Sequence, residues 1–209
     1  AIAYLAFKRV GVRCSILVAG DDLLVAAYDD YDHSQIVALE RACGIVPEAR
    51  SFTDFEHVTF ISGMWVGVYP AIGFVPLPGR LVSRLWWTTN PPTPRRLEVY
   101  RRSVVRSLLP TCSSVPVISR WLSRFDSEGE TMHVDKGYNY RGCSQTFDRN
   151  DLEAIFAERY GVTVEALREC ERWLDTLPAA PLIIRHPVLE RMIEVDMADI
   201  GARGDGVWA

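Results

Sequence analysis

Residues 16–28 read Ile-Leu-Val-Ala-Gly-Asp-Asp-Leu-Leu-Val-Ala-Ala-Tyr, two apolar runs that meet at Gly20-Asp21-Asp22. Either run alone has the composition of a buried strand, and Gly with Asp between two such runs is hairpin-turn chemistry. Two adjacent carboxylates there are tolerable only if water solvates them or a cation neutralises them, because an unpaired buried carboxylate is strongly disfavoured. The stretch therefore predicts an antiparallel hairpin, strands 14–19 and 23–28, with its negative charge concentrated at the tip.

Outward from this hairpin, residues 1–10 carry a helical apolar pattern that Gly11 stops. Apolar Ile36, Val37, Leu39, Ala42 and Cys43 share one face of a second helix, with Ser34 as its N-cap and Gly44 beyond its end. Residues 55–61 and 64–69 read as strands around Ser62-Gly63. Pro76, Pro78 and Gly79 then mark a break, and a domain boundary is placed at 75–79. Beyond it the pattern turns helical over 80–87, 94–109 and 115–125, with Pro-rich breakers between. Residues 126–146 read as a long loop, helices return at 151–160, 163–177 and 187–198, and the tail from Gly201 reads as loose. The fold class is α+β: antiparallel hairpins with helices, followed by a mainly helical half.

The 209-residue chain is 48% hydrophobic and 24% charged, which excludes disorder and allows a substantial core. No apolar run reaches the ~18 residues of a membrane span. The chain opens inside a helical pattern without Met or a signal-peptide layout, so it reads as part of a larger polypeptide. Five widely spaced cysteines without a Cys-x-x-Cys pair predict reduced thiols in a cytosolic setting rather than structural zinc. The four histidines, His33, His57, His133 and His186, are equally scattered. Ser62, Ser113 and Ser114 have no His/Asp arrangement that would suit a serine hydrolase. Trp86-Trp87 reads as core, and Asp29, Asp30 and Asp32 as a solvated start to the second helix.

The net charge of −4 hides an asymmetry. Residues 80–124 hold nine Arg against Glu98 alone, a net of +8, whereas residues 1–79 sum to −4 and residues 125–209 to −8. Lys is confined to Lys8 and Lys136, so the belt is guanidinium, the group suited to bidentate phosphate contacts. A belt of this kind suits RNA; its alternative use is as a solvated helix face. At the hairpin tip, adjacent carboxylates are hard oxygen ligands for Mg²⁺ or Mn²⁺, ions that bind through a few carboxylates and substrate phosphates. Paired metals of this kind support phosphoryl transfer.

In the order of these elements the chain resembles the RNA-dependent RNA polymerases of positive-strand RNA viruses. Gly20-Asp21-Asp22 between apolar strands resembles their palm motif C. Residues 34–43, Gly44 and 45–50 resemble motif D, and Phe60-Ile61-Ser62-Gly63 resembles the hairpin of motif E. Val75-Pro-Leu-Pro-Gly-Arg80 resembles the junction into a helical thumb. The resemblance covers most of residues 1–85 and the remainder only in character.

It implies a right-hand polymerase: residues 1–78 as the C-terminal part of the palm, residues 79–209 as the thumb and C-terminal region. It implies RNA-templated RNA synthesis from NTPs, with Asp21 as leading metal ligand and Asp22 as a second, more peripheral carboxylate. Gly20 would keep the turn close to the primer end, Phe60 and Ser62 would position the 3′ end, and Arg80 and Arg84 would contact RNA backbone. The family's motif D Lys has no counterpart between Lys8 and Lys136, and Arg50 and His57 are the basic groups at that place.

The family's upstream Asp-x-x-x-x-Asp and Ser-Gly-x-x-x-Thr motifs are absent. The acidic stretches from Asp148 and from Asp196 lack a surrounding strand that could replace them. The resemblance thus implies an N-terminal remainder as partner, inactivity of this segment alone, other viral replication proteins as further partners, and a membrane-associated site in the host cytoplasm. The alternative is a non-catalytic RNA-binding or assembly protein that uses the 80–124 belt. A reverse transcriptase fits less well, since that family places a bulky residue where Gly20 stands.

Overall fold

The computed structural model describes residues 2–48, 50–67, 71–86, 88, 91–132, 147–178 and 184–201. The chain forms two compact units, Ala1–Thr53 and Asp54–Ala209.

In the first unit, helix α1 (Ile2–Val10) precedes the hairpin β1 (Cys14–Ala19) and β2 (Asp22–Ala27), and helix α2 (His33–Ala42) follows it. The register pairs Cys14 with Ala27, Ile16 with Val25 and Ala19 with Asp22. Side chains alternate across a strand, so Cys14, Ile16 and Val25 share one face. Both helices pack on that face, burying Ala6, Phe7 and Ile36. Arg13 clamps the hairpin base by two bonds to the Asp29 carboxylate, at 2.9 and 2.8 Å. The N-cap of α2 is Asp32, not Ser34: its carboxylate accepts from the Ser34 N–H at 2.9 Å, and the Ser34 hydroxyl donates to the same oxygen. A charged acceptor binds a helix N-terminus more strongly than a hydroxyl does, and Ser34 becomes its donor.

In the second unit, strands β3 (Thr59–Phe60), β4 (Gly63–Val66) and β5 (Gly73–Pro76) form an antiparallel sheet in that order. Helices α3 (Pro78–Arg84), α4 (Leu97–Cys112), α5 (Ile118–Ser123), α6 (Arg149–Tyr160), α7 (Val164–Thr176) and α8 (Pro187–Gly201) follow. Met64, Val66 and Val75 from the sheet join Val104, Leu108 and Cys112 of α4 in one core with Phe156, Leu167 and Met192. Compactness therefore divides the chain at Thr53, ahead of the composition break at 75–79, because the three-stranded sheet shares its core with the helices.

Several expectations change. Residues 55–57 form a 3₁₀ turn, and the strand after it is only Thr59–Phe60. Strand β5 lies where the sequence suggested a break. Its Pro76 is compatible with an edge position at the end of a strand, where an N–H is not needed. Helix α4 starts at Leu97 after a 3₁₀ turn over Pro94–Arg96 and runs through Pro110 to Cys112. Helix α5 begins only at Ile118. Asp148 caps α6, accepting from Asn150 N–H, and Thr163 caps α7, accepting from Ala166 N–H. Trp86 packs against the core with its ring 5.1 Å from Phe125; Trp87 and residues 133–146 and 202–209 lie outside the described residues. Cys14, Cys43, Cys112 and Cys170 are unbridged, and burial pushes the Cys112 and Cys170 thiols up to about 12.

Candidate active site

Ala19 faces Asp22 across the hairpin, so the loop is two residues long, Gly20 and Asp21, rather than three. Gly20 has φ 65°, and Asp21 is not among the residues with positive φ. That is the type II′ pattern, which places Gly first and matches the twist of the flanking strands. Asp21 is exposed at the tip, while Asp22 is half-buried as the first residue of β2. By alternation Asp22 shares a face with Ala19, Leu17 and Leu24, the face away from α1 and α2. Leu17 is 50% exposed there, and Val18 and Leu23 near the tip are 60% and 40% exposed. The carboxylates thus stand at the uncovered end of an apolar hairpin.

This donor set fits a hard divalent cation, since Mg²⁺ takes one or two carboxylates and completes its shell with water and phosphate oxygens. Among the described residues no group of three or more His, Cys, Asp or Glu side chains comes together. Two adjacent carboxylates match the ligand number such an ion takes from a protein, and a shared two-metal site needs a further carboxylate.

In the second unit Phe60 pairs with Gly63, so the turn residues are Ile61 and Ser62 rather than Ser62 and Gly63. Both have positive φ, 43° and 64°, the type I′ pattern usually filled by Asn-Gly. A β-branched Ile there is strained by roughly 1–2 kcal/mol. Ser62 is exposed, and its carbonyl accepts from the Leu77 N–H at 2.9 Å, which ties the turn to the start of α3. Phe60 is only 7% exposed. Its ring stacks 6.3 Å from Trp65, which also meets Phe55 and Phe74, so Phe60 acts in packing and Ser62 is the accessible polar group. Arg80 is half-buried and Arg84 exposed on α3. Arg50 is exposed in the first unit, and His57 is exposed at the end of the 3₁₀ turn in the second.

The arginine belt is largely engaged within the chain. Arg101 pairs with Glu98 at 3.0 Å and lies over the Trp86 ring at 5.9 Å. Arg120 binds Asp175 through two bonds of 2.7 and 2.6 Å, and Arg124 donates to the Leu177 and Pro178 carbonyls. Arg102 and Arg106 bind the segment that follows α5. Among the described residues Arg96, Arg106 and Arg120 pair with acids from the C-terminal part, Glu130, Asp126 and Asp175, which offsets part of the surplus of +8.

No family model matches the chain, and no curated protein or solved structure matches it either.

Two acids with almost no exposed surface were not evident in the sequence. Asp196 on α8 has no exposed surface and accepts from Gly79 N–H, Tyr160 OH and Arg159. Burial raises its pKa, and Arg159 and the Gly79 bond only partly offset that. Glu153 on α6 is buried beneath Arg149 and Arg168; burial works upward, but the hydrogen bonds from the two guanidiniums win and its pKa is lowered. The signal was present: Asp196 continues the stripe Val188, Leu189, Met192, and Glu153 sits beside Leu152 and Phe156. An acid at a core position of an amphipathic helix predicts a buried partner.

Proposed function

We propose that this chain is the C-terminal palm and thumb portion of an RNA-dependent RNA polymerase that transfers nucleotidyl groups from NTPs to an RNA 3′-hydroxyl. The observation that carries the reading is the two-residue turn that sets Asp21 and Asp22 together at the uncovered end of the β1–β2 hairpin, with both helices on the opposite face. In this reading Asp21 and Asp22 hold Mg²⁺ or Mn²⁺, which supplies neutralisation of the phosphoryl and leaving-group oxygens. Gly20 keeps the backbone low beside the reacting end. The exposed Ser62 turn positions the primer strand, Arg84 and the half-buried Arg80 contact backbone phosphates, and Arg50 or His57 supplies the basic group near the pyrophosphate. A carboxylate from the N-terminal remainder completes the metal shell, so the chain by itself is inactive. No helix among the described residues is long and apolar enough to cross a membrane. The host cytoplasm, in membrane-associated complexes with other viral replication proteins, is the setting this reading carries with it.

The test is templated incorporation of labelled nucleotides by the longer polypeptide, with and without Asp21→Ala. Loss of incorporation with RNA binding retained supports the assignment; undiminished synthesis by the variant overturns it.

One observation favours a second reading, an RNA-binding or assembly protein without catalysis: among the described residues no further His, Cys, Asp or Glu joins Asp21 and Asp22 in a group of three that could hold a metal. That reading predicts that no polypeptide containing this segment incorporates nucleotides, whatever stands at position 21.

A further inference from the structure

After α5 the chain turns back along α4, and residues 126–132 lie across it as a strap. Its hold on the helix is polar. Arg102 donates from Nε to Ser127 Oγ at 3.0 Å and from Nη1 to the Glu130 carbonyl at 2.8 Å. Arg106 donates to the Asp126 carboxylate at 3.2 Å and to the Ser127 carbonyl at 2.9 Å. Arg96 pairs with the Glu130 carboxylate at 3.5 Å, and Met132 N–H donates to Ser103 Oγ at 2.8 Å. Residues 126–131 are all exposed, so apolar burial contributes little to the attachment.

Gly129 shows how closely the strap fits one guanidinium. Its φ is 135°, and a Cβ there would stand 2.6 Å from Arg102 Nη1. Only Gly allows both the conformation and the approach.

What the strap presents to α4 is a row of oxygens: two carbonyls, one hydroxyl and two carboxylates, spread along Arg96, Arg102 and Arg106. Guanidiniums one helical turn apart, at 102 and 106, are spaced to follow a chain of anionic oxygens. Arg95 and Arg96 extend the row past the α4 N-terminus, where the helix dipole and unpaired N–H groups disfavour cations and welcome an anion. Arg95 is exposed and, among the described residues, makes no hydrogen bond or ion pair.

We propose that the Arg95, Arg96, Arg102 and Arg106 row is a binding site for the phosphodiester backbone of single-stranded RNA, and that the 126–132 strap occupies it as an acidic stand-in. RNA binding at this row displaces the strap: phosphate oxygens replace the Ser127 hydroxyl and the Glu130 carbonyl on Arg102, and the Asp126 carboxylate and the Ser127 carbonyl on Arg106. The inference rests on the reading that the chain handles RNA, and it names the surface and how that surface is masked. Because the strap competes through ionic and polar contacts alone, the closed site binds weakly and opens only to a polyanion.

The test is fluorescence anisotropy of a fluorescein-labelled, unstructured RNA of about 20 nucleotides, titrated with the full chain at several salt concentrations, without NTP and with EDTA present. Two variants release the strap by different routes. Gly129→Val displaces Arg102 from the strap without changing net charge, and Asp126→Asn with Glu130→Gln removes the competing carboxylates. Both should bind RNA about tenfold more tightly at low salt. The plot of log affinity against log salt should steepen by about 1.4, two freed arginines at roughly 0.7 per phosphate contact on a single strand. Adding Arg102→Ala and Arg106→Ala to the Gly129→Val chain should abolish the gain. Wild-type affinity and slope in both variants, a gain that survives loss of both arginines, or no RNA binding by any variant overturns the proposal. Nucleotide incorporation is absent from this assay, so failure of the polymerase reading and failure of the masked site are read separately.

Discussion

The backbone N–H of Gly79 donates to the Asp196 carboxylate at 2.7 Å, although the two residues are 117 positions apart in the chain. The contact exists because α3 and α8 approach until a Cβ at Gly79 would stand 2.0 Å from the Met192 carbonyl oxygen. Asp196 also accepts from Tyr160 on α6, so one buried carboxylate fastens three helices. Removing it takes the ion-pair partner from Arg159, whose side chain is 6% exposed, and the acceptor from the Gly79 N–H. Asp196→Ala should destabilise the fold by about 3–5 kcal/mol, the range for breaking a buried pair from one side. Asp196→Asn keeps an acceptor for Gly79 and should lose less. Urea unfolding midpoints of the two variants check this: equal, small losses would remove the carboxylate from the load of the core.

The type I′ turn at Ile61-Ser62 predicts a gain. Its two positive φ angles suit Asn and Gly, and Ile carries the steric penalty of the left-handed region. Ile61→Asn with Ser62→Gly should stabilise the chain by about 1–2 kcal/mol while Phe60 and Gly63 stay paired. If the turn positions a primer strand, the same change should lower templated incorporation in the longer polypeptide by removing the Ser62 hydroxyl. A chain that becomes both more stable and fully active would show that the strain serves no function.

What the sequence revealed and what it hid divide by distance along the chain. The β1 limits were legible because turn chemistry lies within three or four residues. Strand β5 was not, because Pro76 with Pro78 and Gly79 reads locally as a break, and residues 73–76 become a strand only by pairing with β4. The arginine belt misled for the same reason. Arg106 and Arg120 are neutralised by Asp126 and Asp175, acids that were counted in a different part of the chain. At the candidate site the carboxylate pair was legible, but the turn closes over two residues instead of three, which moves Asp22 from the loop into β2. The inward role of Phe60 could not be read locally, since it depends on Trp65 and Phe74.

Among the buried acids of the second unit, acid sensitivity should centre on Glu153. Its pKa is lowered in the folded chain, so its contribution is fully present above the ordinary value of 4.5 and is lost as pH falls through the lower folded value. Asp196 acts in the opposite sense: with its pKa raised, the folded state holds its proton more tightly, and stability falls as pH rises from 3.8 through the raised value. Glu153→Gln should therefore flatten the loss of stability below 4.5, and Asp196→Asn should not. Chemical unfolding measured at a series of acidic pH values separates them; an unchanged acid limb in Glu153→Gln would place the sensitivity elsewhere.

Gly20 distinguishes a structural tip from a catalytic one. Its φ of 65° disfavours a side chain, yet nothing lies within 4 Å of where a Cβ would stand. The penalty for Gly20→Ala is therefore conformational only, about 1 kcal/mol. Gly20→Asn should lose about as much, because the first position of a type II′ turn lies outside the left-handed helical region that Asn tolerates. Both variants should fold with the Ala19–Asp22 pairing intact. In the longer polypeptide, however, the added Cβ lies on the turn that carries Asp21 and Asp22, at the place where the proposed function puts the primer end. Incorporation should then fall at least tenfold in Gly20→Ala, far beyond its effect on stability, while RNA binding is retained. Parallel measurement of unfolding midpoints and nucleotide incorporation decides the matter. A loss of activity no larger than the loss of stability would make the tip an ordinary solvated turn, and the second reading, RNA binding without catalysis, would then account for the chain.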